Sequence, residues 1–490
     1  MAAAVLVLYL IVVLAIGFYM RRRVHTEKDY LAAGGTLGVV VGGATLAATQ
    51  MSAGTAIGTV GFHFQTGYNF TWIWLAIWAS WVIMALLMGP KMKDFYDSHG
   101  AVTIPDLLGT RFESKTIRVV AVVILLVAFG LTIVAELVGG SYILNVAFGI
   151  PTVVGVLTIA AVFIAYTVMG GLFAIAYTDL LQMFVFCIGF AIAVPYAVNR
   201  AGGFVTLNEK LSAIDPSLVG NGMPTSTLLA SAISFFILLL GYPIIAIRFY
   251  SIKDNKTIRR AVGLSFVFQG IVAISVAFLG VSARVLFPNL ETPDLASPTI
   301  AMDLLPPVLG GLLLAAILAA IQSTVSAVLL MLGSAISHDI VKNVLGREMT
   351  ERQTVRLTRV VVLVMGILPI PIALYPLPLI QQIWINAAAL IGSSFAVVTL
   401  AGLYWKRGTT AGAITSMVGG IVSAGVWLAL GNPFGINAVY ISVPVSLLGM
   451  IVVSLLTKPV SNRALRPFFR DERERAAETV SPAYGEGRPI

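Results

Sequence analysis

Apolar residues in this chain run in blocks of roughly 20, each bounded by a short polar or glycine-containing segment, and such a block is the length an α-helix needs to cross a bilayer. Thirteen blocks meet the requirement, near 2–20, 37–62, 70–90, 117–147, 151–172, 174–198, 226–250, 261–287, 309–340, 358–376, 379–404, 409–430 and 438–457. The pattern predicts an all-α polytopic membrane protein. Two blocks carry an internal interruption. Gly42 to Gly61 reads GGATLAATQMSAGTAIGTVG, crowded with small residues and holding the polar Gln50, while 228–250 is punctuated by Gly241-Tyr242-Pro243. Small residues permit close helix packing and a local unwinding that frees backbone carbonyls. Two interrupted spans in corresponding halves of a chain point to a transporter's central site.

Composition agrees with the pattern: of 490 residues 58% are hydrophobic and 11% charged, against about a quarter charged in soluble domains. Charge also tests the span count. With the N-terminus outside, the cytoplasmic segments Arg21 to Lys28, Lys91 to Arg118, Arg248 to Arg260, Lys342 to Arg359, Lys406-Arg407 and the tail from Lys458 hold 28 of the 31 Lys and Arg, leaving only Arg200, Lys210 and Arg284. That bias is a topology signal, and a missed span would destroy it. The basic residues lie in short clusters between spans, which argues against a nucleic-acid partner. The reading is a multi-pass protein of the cell membrane with its C-terminus in the cytoplasm. The single Cys187 excludes an intrachain disulfide. An external loop is expected at 199–225, and from Arg463 mixed charge without an apolar period predicts a disordered tail.

Ionisable groups inside spans are costly and mark function by default. Glu136, in LTIVAELVGG, can line a solute or ion path or be a structural carboxyl. Asp179, in GGLFAIAYTDLLQ, can be functional or a helix cap at a span end. Asp303, Asp339 and Arg248 sit near predicted span ends, where caps or interface anchors are expected. The four histidines near loops and span ends form neither a metal spacing nor a triad, so the chain does not read as an enzyme. Ion chemistry is clearest in LLLAAILAAIQSTVSAVLLMLGSA. There Ala320, Ser323 and Thr324, at i, i+3 and i+4, place a carbonyl and two hydroxyls on one helix face. Carbonyls of Ala48 and Met51 from the unwound segment would complete five oxygens without a carboxylate, which suits Na+ better than Ca2+.

The residues YTVMGGLFAIAYTDLLQ at 166–182 resemble the signature of the sodium:solute symporter family, and LAAIQSTVSA resembles its cation-binding helix. The resemblance runs to about Pro459. Within the family, IDPSLV, IRFYSIKDNKTIRR and FPNLETPDLASPTIAMDLLPP look most like the pantothenate permease branch. It implies the leucine-transporter-type fold: a first helix and linker (1–36), one five-helix repeat (37–198), the external loop, an inverted second repeat (226–405), two further helices (406–457) and the tail (458–490).

By motif position the resemblance implies a Na+ site of Ala48, Met51, Ala320, Ser323 and Thr324, with Asp179 and Ser326 available for a second sodium, although Ala327 lacks the hydroxyl other members carry there. Solute contacts so implied are Gln50, Ser52 and Thr55, with Glu136, Tyr242 and Asn386 from spans facing the same cavity. Gln50 stands where proline permeases carry Asp, which argues against a solute whose amine needs a carboxylate partner. The expectation is a sodium-coupled symporter importing a small organic solute, best a carboxylate such as pantothenate. Proline or another monocarboxylate is the first alternative, and a proton-coupled carrier using Glu136 the second. The sequence leaves the oligomeric state open.

Overall fold

A computed structural model describes residues 1–20, 33–99, 103–220, 222–375, 378–466 and 468–469. The expected cytoplasmic linker at 21–32 and the tail from 470 lie outside them. Among the described residues the protein is helical, with no β-strand and one isolated parallel bridge between Leu37 and Ile252. Ten helices are long and apolar enough to cross a membrane, or eleven if Thr225–Leu240 and Pro243–Ser251, bent by 42°, form one span. Shorter apolar helices run over Val39–Gln50 and Thr152–Ala165. The shortfall from thirteen long spans has local causes. The block at 37–62 is split at Met51, whose backbone is extended (φ −81°, ψ 124°). The blocks at 151–172 and 174–198 form one run, Thr152–Arg200, interrupted at Gly171 (φ 59°, ψ −168°), a conformation that only glycine adopts without strain.

Burial sorts the helices. Pro307–Ser334 is buried at every position from Leu313 to Ser334, and a helix apolar all round belongs inside a bundle. It packs against Thr152–Arg200 and Ala2–Met20. Ala2–Met20 buries only the stripe Leu6, Tyr9, Val13 and Gly17, and Tyr9 donates its hydroxyl to Gln322 Oε1 at 3.0 Å. Thr410–Ala429 and Val439–Leu456 pair with each other at the periphery. Within the tail expected to be disordered, Asn462–Leu465 is helical and Phe468 is buried, stacked on Phe95 at 4.7 Å between centroids. An aromatic side chain that finds a partner ring and a cation supplies the packing that the charged sequence around it lacks.

The breaks are held by backbone contact. At Gly54 an added Cβ would lie 2.4 Å from Trp384, and at Gly58 it would lie 2.7 Å from the backbone N of Gln381. At Gly241 it would meet Ala396 N at 2.5 Å. Gly241→Ala must therefore separate two backbones, at a cost of about 1–3 kcal/mol. The purified variant should melt several degrees below the parent, and an unchanged melting temperature would show that the contact has slack.

Candidate functional site

The site forms where the first broken helix comes apart. Val39–Gln50 ends, Met51 is extended, and the chain resumes as a π-helical turn over Gly54–Thr59. The carbonyls freed there at membrane depth need partners, and Pro307–Ser334 supplies them. Ser323 Oγ lies 3.2 Å from Ala48 O, 3.4 Å from Met51 O and 2.8 Å from Ala320 O, while Thr324 Oγ1 donates to Met51 O at 2.6 Å. The five oxygens named from the sequence thus converge. One hydroxyl has a single hydrogen for three carbonyls, so the cluster carries more lone pairs than it can satisfy. Such an excess of uncharged oxygen favours a small cation.

Asp179 and Ser326, expected to share a second ion, are engaged elsewhere. Asp179 Oδ2 lies 3.2 Å from Arg248 Nη2 and accepts from Thr45 Oγ1 at 2.5 Å, and Arg248 Nε donates to Thr49 Oγ1 at 3.0 Å. Ser326 donates to Ser323 O at 3.1 Å. A carboxylate facing a guanidinium is largely neutralised and is a weaker ligand for a further cation. Arg248 lies near a span end as expected but is buried against Asp179 and is no interface anchor. The interruption at Gly241–Tyr242 turns Pro243–Ser251 inward, so that all nine residues of that helix are buried. Asp339 likewise is no surface cap: it is fully buried and both its oxygens accept from Thr103, in a cluster with Asp106, Arg118 and His338.

Beside the oxygens lies a narrow cavity of about 40 Å3, smaller than the roughly 300–1,000 Å3 usual for small-molecule sites. Four expected solute residues line it: Gln50, Ser52, Thr55 and Tyr242. Tyr242 has no hydrogen-bond partner for its hydroxyl among the described residues. Two expected residues do not line it. Asn386 accepts from Gln382 at 2.9 Å one turn away on its own helix. Glu136, 1% exposed, accepts the N–H of Ala53 at 2.8 Å. That amide opens the second half of the broken helix, so Glu136 is a carboxyl cap on a positive helix end. Gly139, one turn on, lets its helix approach closely enough: a Cβ there would sit 2.7 Å from Ala53 Cβ.

Sequence reasoning missed the aromatic and amide walls, Trp74, Phe235, Gln381 and Trp384. The run TWIWLAIWASW and the pair Gln381-Gln382 opening an apolar block were the available signals. Gln381 and Trp384 stand on Ile380–Tyr404, whose first N–H is taken by Asp294 Oδ2 at 2.9 Å. Asp294 lies outside the spans, and burial pushes its carboxyl up to about 6, the Ile380 N–H pulling the other way.

Comparison with known proteins fits this geometry. Residues 30–420 match the model of the sodium:solute symporter family. The chain is 31% identical over 471 residues to a sodium/proline symporter of Staphylococcus aureus (strain USA300 / TCH1516), covering 92% of this chain and 91% of that protein. It is 28% identical over 473 residues to the osmoregulated proline transporter OpuE of Bacillus subtilis (strain 168), covering 94% and 96%. In fold it is similar to a Na+-coupled sialic acid symporter solved in a substrate-bound outward-open state, with a TM-score of 0.78 at 21% identity over 94% of this chain and 98% of that one. MhsT in complex with L-phenylalanine is a more distant neighbour, with a TM-score of 0.54 at 13% identity over 86% and 98%.

The cap at Glu136 makes its own prediction. Glu136→Gln keeps an oxygen for the Ala53 amide and should retain both melting temperature and uptake, whereas Glu136→Leu strands that amide and should cost about 1–3 kcal/mol of stability. Loss of uptake in the Gln variant at unchanged melting temperature would instead make the carboxyl a proton carrier.

Proposed function

As the chain belongs to the sodium:solute symporter family, a multi-pass transporter coupled to Na+ and not an enzyme, we propose that it imports a small carboxylate-bearing solute with Na+ by alternating access. The observation that carries this reading is the convergence of Ala48, Met51, Ala320, Ser323 and Thr324 beside the cavity. Gln50 and Ser52 alternate along the chain with the two carbonyl-donating positions of the break. Na+ on the carbonyls would hold the break against Pro307–Ser334 in the form that presents Gln50 and Ser52 to solute, and loss of Na+ to the cytoplasm would release both. A second sodium at Asp179 and Ser326 would first have to displace Arg248, so one Na+ per solute is the stoichiometry proposed.

The thirteen-span architecture with inverted repeats at 37–198 and 226–405, N-terminus outside and C-terminus in the cytoplasm of a plasma membrane, belongs to the same proposal. The long helices together with the bent pair and the short helices Val39–Gln50 and Thr152–Ala165 supply candidates for every block. Leu37 N donates to Ser251 O at 2.9 Å and Lys253 N to Leu37 O at 3.0 Å. The start of the first broken span therefore lies beside the end of the second, as inversion requires.

The solute's carboxylate is supported by the hydroxyls and amides of Gln50, Ser52, Thr55 and Gln381, set in an otherwise mostly apolar wall. The half-helix N-terminus, which suits an anion, has Glu136 on the Ala53 amide, so recognition falls to side chains, Gln50 first. Pantothenate is the reading from segment resemblance and from Gln50 standing in place of an acid. Proline is the second reading, favoured by relatives named as proline transporters.

One assay tests the site and the solute. In proteoliposomes with an inward Na+ gradient, labelled pantothenate and labelled proline are each challenged with excess proline, pantothenate, a short monocarboxylate and a hexose. Sodium-dependent uptake of one carboxylate, with Ser323→Ala and Thr324→Ala raising the half-saturating Na+ concentration about tenfold or more, is expected. Unchanged sodium dependence in both variants would overturn the ion site, and uptake inhibited by the hexose alone would overturn the solute class.

Topology is tested by labelling. With the single, buried Cys187 replaced by Ser, a cysteine at the exposed Thr225 should react with an impermeant maleimide in intact cells, and one at the exposed Thr350 only after permeabilisation. The reverse pattern would invert the assigned orientation.

A further inference from the structure

Trp81 lies outside the cavity wall, fully buried on Ile73–Ile83. Its Nε1 donates to Gln50 Oε1 at 2.7 Å. An indole N–H donates and cannot accept. The atom of the Gln50 amide that faces Trp81 must therefore be the oxygen, and the NH2 is left as the end of Gln50 available to the cavity. The other amide in the wall has no such constraint. Gln381 Oε1 lies 3.2 Å from Thr59 Oγ1, which also lies 3.0 Å from Gly54 O. A hydroxyl can donate or accept: facing Gln381 Oε1 it has one hydrogen for that oxygen and Gly54 O, facing the Gln381 NH2 it accepts from it and donates to Gly54 O, so Thr59 admits either end of Gln381 where Trp81 admits only one end of Gln50.

We infer that Trp81 is a positioning residue that sets specificity: by holding the Gln50 carbonyl it turns that amide into a fixed pair of donors, selecting a solute with a carboxylate over one that bears an amide or an alcohol there. The inference rests on the carboxylate reading of the solute and adds a residue to it that does not touch the solute. Glu at position 50 would also accept from Trp81, yet would present an acceptor to the cavity. The Trp81 bond is thus compatible with either solute polarity, and the residue it holds decides which. With the indole N–H removed, Gln50 is free to turn its carbonyl toward the solute, and discrimination between acceptor-bearing and donor-bearing solutes falls.

The experiment measures KM and kcat for sodium-driven uptake of proline and pantothenate and of their counterparts prolinamide and panthenol, in which a neutral amide or alcohol group replaces the carboxylate, in proteoliposomes of the wild type, Trp81→Phe and Gln50→Glu. In the wild type one carboxylate should be taken up in preference to its neutral counterpart. Trp81→Phe should raise KM for that carboxylate about tenfold, the equivalent of one hydrogen bond, leave kcat unchanged and lower KM for the neutral counterpart. Gln50→Glu, which keeps Trp81 and its bond, should invert the preference and supplies the test if Trp81→Phe does not fold. A carboxylate-to-neutral ratio unchanged in the folded variants, or an equal loss of kcat for both solutes, would overturn the role of Trp81 while leaving the carboxylate reading intact. A wild type that carries only the neutral solutes would overturn the carboxylate reading and this inference with it.

Discussion

A helix opened inside a membrane leaves carbonyls and amides that no water can satisfy, and the rest of this structure answers that debt. Around Met51 the carbonyl side is met by the hydroxyls of Ser323 and Thr324, and the amide side by the carboxylate of Glu136. The two remedies come from two different helices, so the break cannot exist before those helices have packed on it. Small residues are needed on every side for that packing, which is why Gly54, Gly58 and Gly139 all face atoms closer than a methyl group would tolerate. The same geometry places the converging carbonyls of Ala48 and Met51 and the cavity-lining side chains of Thr49, Gln50 and Ser52 on adjacent residues.

The convergence of the five oxygens was legible in the sequence because its chemistry is periodic. Ala320, Ser323 and Thr324 share a helix face by spacing alone, and the glycine-rich block around Met51 announces its own break. The class of fold was legible for a similar reason, since runs of apolar residues and the bias of Lys and Arg are local signals. What stayed hidden depends on contacts distant in sequence. Arg248 reads as an interface residue because it sits near the end of an apolar block, and only the inward turn at Gly241 brings it to Asp179. Glu136 reads as a cavity residue because a carboxylate in a span suggests transport, and only the position of Ala53, 83 residues away, makes it a cap. Trp81 is one of several tryptophans in a run, and nothing in that run distinguishes the indole that meets Gln50. The expectation of a mostly disordered tail did not single out Phe468, whose charged surroundings hide one well-packed ring.

Asp179 and Arg248 deserve a place beside the ion site for what they do to charge. They are fully buried together, and a buried pair is stable only while both members are present. Thr45 and Thr49 bond to them from the first half-helix, so the pair anchors the stretch leading to Gln50 without adding net charge near the carbonyls of Ala48 and Met51.

Ile380–Tyr404 illustrates a mechanical consequence. At 25 residues it is a rod of about 37 Å, and both its ends are moored by charged side chains. Asp294 takes its first amide. At the far end Arg111 donates from Nε to Gly402 O at 2.8 Å and from Nη2 to Trp405 O at 2.9 Å, with the rings of Phe468 and Phe469 stacked over the guanidinium. A rod tied at both ends neither slides nor tilts freely. It is a strut, and Gln381 and Trp384 ride on it as fixed wall, against which both broken helices are pressed at Gly54, Gly58 and Gly241.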